Sequence, residues 1–66
     1  MEREEYLSDN KEWWIVSDPY NGNPDYELIH LPTRDKGECG SQGDFPTVEA
    51  AMAAAQDIVE GKRVMV

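Results

Sequence analysis

Apolar residues cluster in two stretches near the start of the chain in a way that predicts strands. Residues 12–17 (EWWIVS) and 26–31 (YELIHL) are rich in aromatic and β-branched side chains, which favour strands. Between them, residues 18–25 (DPYNGNPD) combine proline, glycine, asparagine and aspartate, which is typical of a loop that reverses the chain. The pattern therefore predicts two antiparallel strands joined by that loop.

A helix is predicted over residues 48–60, where apolar residues recur at intervals of three and four. Thr47 is the expected N-cap, Glu49 in the first turn suits the helix dipole, and Gly61 is the expected stop. The predicted core stripe consists of Val48, Ala51, Met52, Ala55, Ile58 and Val59. Residues 62–66 (KRVMV) are predicted as a third strand.

The rest of the chain is predominantly polar. Residues 1–11 are expected to form a flexible N-terminal arm, and residues 32–44, with three glycines and almost nothing apolar, a mobile loop. Residues 12–66 are predicted to form a single small α+β domain. Its antiparallel sheet of two to three strands carries one helix on one face, in the order β-β-α-β.

Cysteine content and hydropathy indicate a compartment. Cys39 is the only cysteine of the 66 residues, so no intrachain disulfide can form, which fits a reducing environment. The acidic residues 1–10 do not resemble a signal peptide, and no apolar stretch approaches the roughly 20 residues of a membrane span. We expect a soluble, cytoplasmic protein.

Acidic residues are spread along nearly the whole chain. Fourteen Asp and Glu stand against six Lys and Arg, giving a formal net charge of −8. Such a surface repels nucleic-acid phosphates and anionic membranes, so neither is an expected partner. Basic protein surfaces are attracted instead, although excess acid also serves solubility alone.

The Trp13–Trp14 pair is the main candidate for an apolar anchor. Successive strand residues face opposite sides, so one indole is expected under the helix and the other on the far face. Tryptophan is favoured at interface centres, although the N-terminal arm could cover the second ring. The candidate partner-binding residues are Trp13, Trp14, Glu27, Glu49, Asp57 and Glu60.

Catalytic and metal sites are not expected. His30 is the only histidine, and one histidine with one cysteine cannot complete a Cys2His2 or Cys3His zinc site. A His30–Cys39 nucleophile pair is disfavoured because Cys39 lies in a glycine-rich segment with the acidic Glu38 next to it, which is not the setting of an activated thiol. Oxygen side chains alternate along residues 18–27 as calcium ligands do, but turn chemistry explains the same residues. We expect no enzyme activity and no cofactor.

Two segments carry a resemblance to known proteins. Trp14-Ile15-Val16, and later Phe45 to Ala51 (FPTVEAA), resemble small bacterial and phage ββαβ domains of unknown function, which have a W-x-V strand and an F-x-T-x-x-E/A-A helix start. The resemblance implies this fold and carries no site residue. In size and acidity the chain is also similar to small phage proteins that inhibit host enzymes.

These observations together predict a non-enzymatic protein–protein interaction module. The hypothesis is an inhibitor of the phage- or mobile-element-encoded type, which acts on a basic partner by occlusion or by charge mimicry of nucleic acid. The alternative is a small homodimeric accessory domain whose acidity serves solubility only.

Overall fold

The computed structural model describes residues 4–17 and 25–65, which form an α+β domain. In chain order they hold strands β1 (Glu5–Leu7), β2 (Trp13–Ser17) and β3 (Tyr26–His30), helix α1 (Leu31–Asp35), strand β4 (Ser41–Phe45) and helix α2 (Val48–Val59). The strands form one antiparallel sheet in the order β1-β2-β3-β4. The α+β class is confirmed, but the described residues contain four strands and two helices, in the order β-β-β-α-β-α. The predicted loop at 18–25 lies almost wholly outside the described residues.

The segment predicted as an arm contains β1, which pairs with β2 through a tight turn. Ser8 organises that turn: its N–H donates to the Trp13 carbonyl at 3.0 Å, and its hydroxyl accepts from the N–H groups of Glu12 and Trp13 at 3.2 and 3.1 Å. The hydroxyl also donates to the side-chain oxygen of Asn10 at 2.6 Å. Ser8 thus provides hydrogen-bond partners for backbone groups of the turn that have no partner within a strand ladder.

The segment predicted as a loop at 32–44 holds most of α1 and β4. Pro32 follows the end of β3, as expected, but it lies in the first turn of α1, where its fixed φ is already helical. Gly40 then brings the chain back against β3, and the His30 N–H donates to its carbonyl at 2.8 Å. Between the pairs Glu27–Asp44 and Ile29–Ser41 the register shifts, so β4 carries a bulge.

The residues at 62–65, predicted as part of a third strand, are not a strand. Gly61 has φ +78°, as expected of a helix stop, and the N–H groups of Lys62 and Arg63 both donate to the Asp57 carbonyl, at 2.8 and 3.2 Å. These bonds wrap the chain around the end of α2 and satisfy a carbonyl that the helix leaves free. The strand that pairs with β3 on the side away from β2 is β4.

Helix α2 covers one face of the sheet, and its predicted start is confirmed. The Thr47 hydroxyl accepts from the Ala50 N–H at 3.1 Å, which caps the helix. The core consists of Trp13, Ile15, Leu28, Ala51, Ala54 and Ala55, with Tyr26, Phe45, Val48 and Ile58 packed against it. Because alanines face the sheet, the helix can lie close to it, and the large side chains of β2 and β3 fill the space between.

The predicted helix stripe is rotated in the structure. Met52 and Val59 belong to the predicted stripe but are 58% and 64% exposed, whereas Ala54, which is not part of that stripe, is buried. The buried arc is therefore centred on the alanines and Ile58, and the two larger apolar residues lie at its edge. They face the side of the sheet on which β1 lies, where they help to line a groove.

Candidate functional site

The sheet face opposite α2 combines apolar and acidic side chains. Residues paired across antiparallel strands share a face, and so do residues two apart along a strand. Leu7 pairs with Trp14, and Trp14 with Ile29, so these three side chains form one row on a single face of the sheet. The core residue Leu28 lies on the other face. We call the face with Trp14 the open face; it consists of Glu5, Leu7, Trp14, Val16, Glu27, Ile29 and Asp44.

The two tryptophans lie on opposite faces of the sheet. Trp13 is buried beneath α2 in the core, and Trp14 is half-buried on the open face. The Arg34 guanidinium lies over the Trp14 ring, with its Cζ atom 5.1 Å from the ring centroid, which is a cation–π distance. Trp14 is therefore covered on one side by α1, and of the two it is the ring that a partner can reach.

Three carboxylates cross the open face in one row. Glu5 pairs with Val16, Val16 with Glu27, and Glu27 with Asp44. At the usual strand spacing, the backbone of Glu27 is about 5 Å from that of Asp44 and about 10 Å from that of Glu5. Like charges placed directly opposite destabilise a sheet. The Ser41 hydroxyl compensates in part by donating to the Glu27 carboxylate at 3.1 Å.

The remaining predicted acids lie on α2 and at its C-cap, on the other side of the sheet. Glu49 and Glu60 are exposed, Asp57 is half-buried, and the Glu60 carboxylate is 3.8 Å from the Lys62 ammonium. An exposed ion pair of this kind contributes little. The structure therefore does not bring these three acids together with Glu27, and the predicted set divides between two surfaces.

A groove of about 720 Å³ lies between β1 and α2, on the helix side of the sheet. Trp13 and Ile15 contribute from β2, and Tyr6 and Leu7 from β1. Its other lining residues are Glu5, Ser8, Asp9, Asn10, Met52, Ala55, Gln56 and Val59. A second, smaller cavity of about 460 Å³ is lined by Glu5, Tyr6, Leu7, Trp14, Leu31 and Arg34. Both cavities are lined by all three residues of β1.

His30 is held in place by contacts with Trp13 and Thr33. Its ring centroid is 4.6 Å from that of Trp13, and its Nδ1 atom is hydrogen-bonded to the Thr33 hydroxyl at 2.8 Å. Cys39 is an exposed free thiol. Across residues 4–17 and 25–65, no three His, Cys, Asp or Glu side chains are grouped to hold a metal ion. Of the calcium-type segment 18–27, only residues 25–27 are described.

Tyr26 and Glu4 form a contact that raises the pKa of the phenol. The Tyr26 hydroxyl donates to the Glu4 carboxylate at 2.7 Å, which raises the pKa of Tyr26 above its ordinary value of 10.0. The cause is first the hydrogen bond, which favours the neutral phenol, then desolvation and the negative charge of Glu4. The contact ties β3 to the residue before β1 across the intervening strand.

Sequence reasoning missed four residues that shape the open face: Glu5, Leu7, Arg34 and Asp44. They lie in segments predicted as an arm or a loop, so no face could be assigned to them. The alternation of Glu5, Tyr6 and Leu7 next to the turn-type residues 8–11 was the available signal for a first strand.

Comparisons with known sequences and structures do not identify a relative of this chain. No helix in the described part of the chain is both long and apolar enough to cross a membrane. The likeness to small bacterial and phage ββαβ domains stays a prediction. Searches against protein-family models, curated proteins and solved structures found no match to the chain.

Proposed function

We propose that the protein is a non-enzymatic interaction module that binds a basic surface of another protein through its open face. One observation carries the proposal: Trp14 and the carboxylates of Glu5, Glu27 and Asp44 share the sheet face that α2 leaves uncovered. Aromatic side chains are enriched at the centres of protein interfaces, where charged groups are confined mainly to the rim, and Trp14 with carboxylates around it fits that arrangement.

The two kinds of residue contribute differently. Trp14 and the exposed Leu7 supply apolar area, which is the main source of affinity in an interface. The carboxylates attract a basic partner and orient it, which affects the association rate and specificity more than the affinity. Bound in this way, the module covers the partner's basic surface, so its mechanism is occlusion.

Charge mimicry of nucleic acid is the narrower form of the hypothesis. Its support is confined to the row of Glu5, Glu27 and Asp44, because Glu49, Asp57 and Glu60 lie on the helix side of the sheet. Three carboxylates on one face form a short acidic strip, and we therefore place occlusion before mimicry. An inhibitor encoded by a phage or mobile element remains the biological setting that size and acidity suggest.

The test is retention of partner proteins from a lysate of the cells that encode the chain. Immobilised wild type is compared with Trp14→Phe and Glu27→Gln, which alter the open face while keeping an aromatic ring and a hydrogen-bond acceptor for Ser41. Glu49→Gln on α2 is the matched control, since it removes the same charge from the opposite surface.

The expected result is a retained protein that is weakened by both open-face variants and by added salt, and unaffected by Glu49→Gln. If Trp14→Phe and Glu27→Gln retain the partner as strongly as the wild type does, the proposal is contradicted. A chain that retains nothing but itself, and whose self-association is lost in Trp14→Ala, supports the homodimeric accessory domain instead.

A further inference from the structure

β1 presents unpaired backbone groups at the edge of the sheet. The Glu4 carbonyl accepts a hydrogen bond from β2 at 2.9 Å, and the Ser8 N–H donates one to β2 at 3.0 Å. In an antiparallel ladder, residues that bond to the neighbour alternate with residues that point away. The N–H and C=O groups of Glu5 and Leu7 therefore point outward, where another strand can pair with them.

The two cavities leave room for such a strand on both sides. The groove lies beside β1 on the helix side, and the smaller cavity next to Trp14 includes the same three β1 residues. Tyr6 and Leu7 are exposed, as are Met52 and Val59 on the groove wall. A strand added to β1 would direct alternate side chains into these spaces, as in other cases of strand addition.

The residues at 62–65 have the chemistry that this edge requires. Lys62 and Arg63 are basic, whereas Glu5 and Asp9 line the groove. Val64 is 86% exposed and Met65 is 42% exposed, and neither side chain belongs to the core, so both keep apolar area that a partner can cover. We call residues 62–65 the tail.

The tail does not reach the β1 of its own chain in this structure. The bonds to Asp57 turn it away, and the Arg63 guanidinium lies 5.3 Å from the centroid of the Phe45 ring. Phe45 belongs to β4, which is the opposite edge of the sheet. Val59, three residues before the tail, nevertheless lines the groove beside β1. The tail thus starts close to a β1 edge while pointing away from it.

We propose that the tail of one copy adds as a strand to β1 of a second copy. The pairing joins a basic segment to an acidic edge, covers exposed apolar side chains and gives the outward backbone groups partners. Whole-molecule repulsion is screened beyond about 8 Å at physiological salt, whereas the tail and the edge meet at contact distance. The β1 edge shares Glu5 and Leu7 with the open face. The proposed pairing uses the outward backbone groups of β1, whereas the proposed function uses side chains of the open face, so variants that change only one of the two test the proposals separately.

The test uses proline to remove single backbone donors. Leu7→Pro deletes an outward N–H and leaves the hydrogen bonds between β1 and β2 in place, which an edge strand tolerates. Val64→Pro deletes a donor in a segment outside every helix and strand. Leu7→Ala and Val64→Ala are the matched controls, because each shortens the same side chain and keeps the N–H.

Sedimentation equilibrium of the full chain, from micromolar to millimolar concentration, measures the association. The wild type is expected to self-associate, and each proline variant to raise the dissociation constant about tenfold above that of its alanine control, as loss of a backbone hydrogen bond implies. Mixing the two proline variants should restore pairing with a 1:1 composition, because one intact tail then meets one intact β1.

Three results overturn the proposal: a wild type that stays monomeric throughout, self-association that both proline variants retain, or a mixture that fails to pair. Circular dichroism confirms that each variant is folded. If Leu7→Pro unfolds the domain, Glu5→Pro removes the other outward donor and takes its place in the mixture.

Discussion

Replacing Gly40 by alanine tests the close contact on which the turn between α1 and β4 depends. Gly40 has φ +72°, and a Cβ atom there would lie 2.8 Å from the His30 carbonyl oxygen and 3.2 Å from two atoms of Arg34. Gly61 has almost the same φ, +78°, but a Cβ atom there would meet nothing within 4 Å. Replacement by alanine therefore places a side chain in the left-handed backbone region at both positions, but only at position 40 does the new Cβ atom clash with other atoms.

The magnitudes follow from that difference. A left-handed conformation costs alanine about 1 kcal/mol more than glycine, and this is the whole expected effect of Gly61→Ala. Gly40→Ala adds an overpacked contact with backbone, typically about 1–3 kcal/mol, for a total of about 2–4 kcal/mol. A chain of this size has a free energy of unfolding of roughly 3–10 kcal/mol, so Gly40→Ala removes a large share of it.

Urea unfolding followed by tryptophan fluorescence measures both variants. With a slope of about 1 kcal/mol per molar urea, Gly40→Ala should lower the midpoint by about 2–4 M and Gly61→Ala by about 1 M. Equal losses in the two variants would refute the reasoning, because they would show that the clash with His30 and Arg34 does not exist.

Three further predictions concern the core, the helix cap and the tyrosine. Leu28→Ala, at a fully buried side chain, should cost about 2–5 kcal/mol by urea unfolding, whereas Leu7→Ala on the exposed strand should cost under about 1 kcal/mol; similar losses would contradict the assigned faces. Thr47→Ala should cost about 1 kcal/mol by the same assay and Thr47→Ser much less, since serine also caps; equal losses would argue against the cap. The fold raises the pKa of Tyr26, so the contribution of this residue to stability is present below about pH 10 and is lost as the pH rises through the folded pKa. Glu4→Gln should lower the pKa of Tyr26, which an NMR titration of the ring measures. An unchanged pKa would mean that the contact with Glu4 is not made.

Local chemistry explains which elements were predictable. The start and stop of α2 depend on residues next to the helix, Thr47 and Gly61, so the sequence reveals both. β2 and β3 carry β-branched and aromatic residues, and the prediction placed both to within one residue. These signals need no knowledge of the rest of the fold.

The missed elements depend on partners that are distant in sequence or on geometry. β4 is polar and contains Gly43, which has φ +109°, so its strand character comes only from pairing with β3. The rotation of α2, which exposes Met52 and Val59, depends on the packing of its buried alanines against side chains of β2 and β3. Only part of the open face could be predicted from the sequence. Alternation along β2 places Trp13 and Trp14 on opposite faces, but Glu5 and Asp44 lie on β1 and β4, which were not predicted as strands.

The strand order has a consequence for how fast the chain finds its fold. Every strand of the sheet pairs with the strand next to it in sequence, and α2 follows directly on β4. Pairing of neighbours closes only short loops, and short loops cost little entropy before the contacts form. Pairing between strands that are neighbours in sequence keeps the contact order lower than pairing between distant strands would, and lower contact order favours faster folding. The edges that pair within the sheet are then exposed only briefly during folding, which limits mispairing between chains. The outer edge of β1 is different, because it stays unpaired in the folded domain.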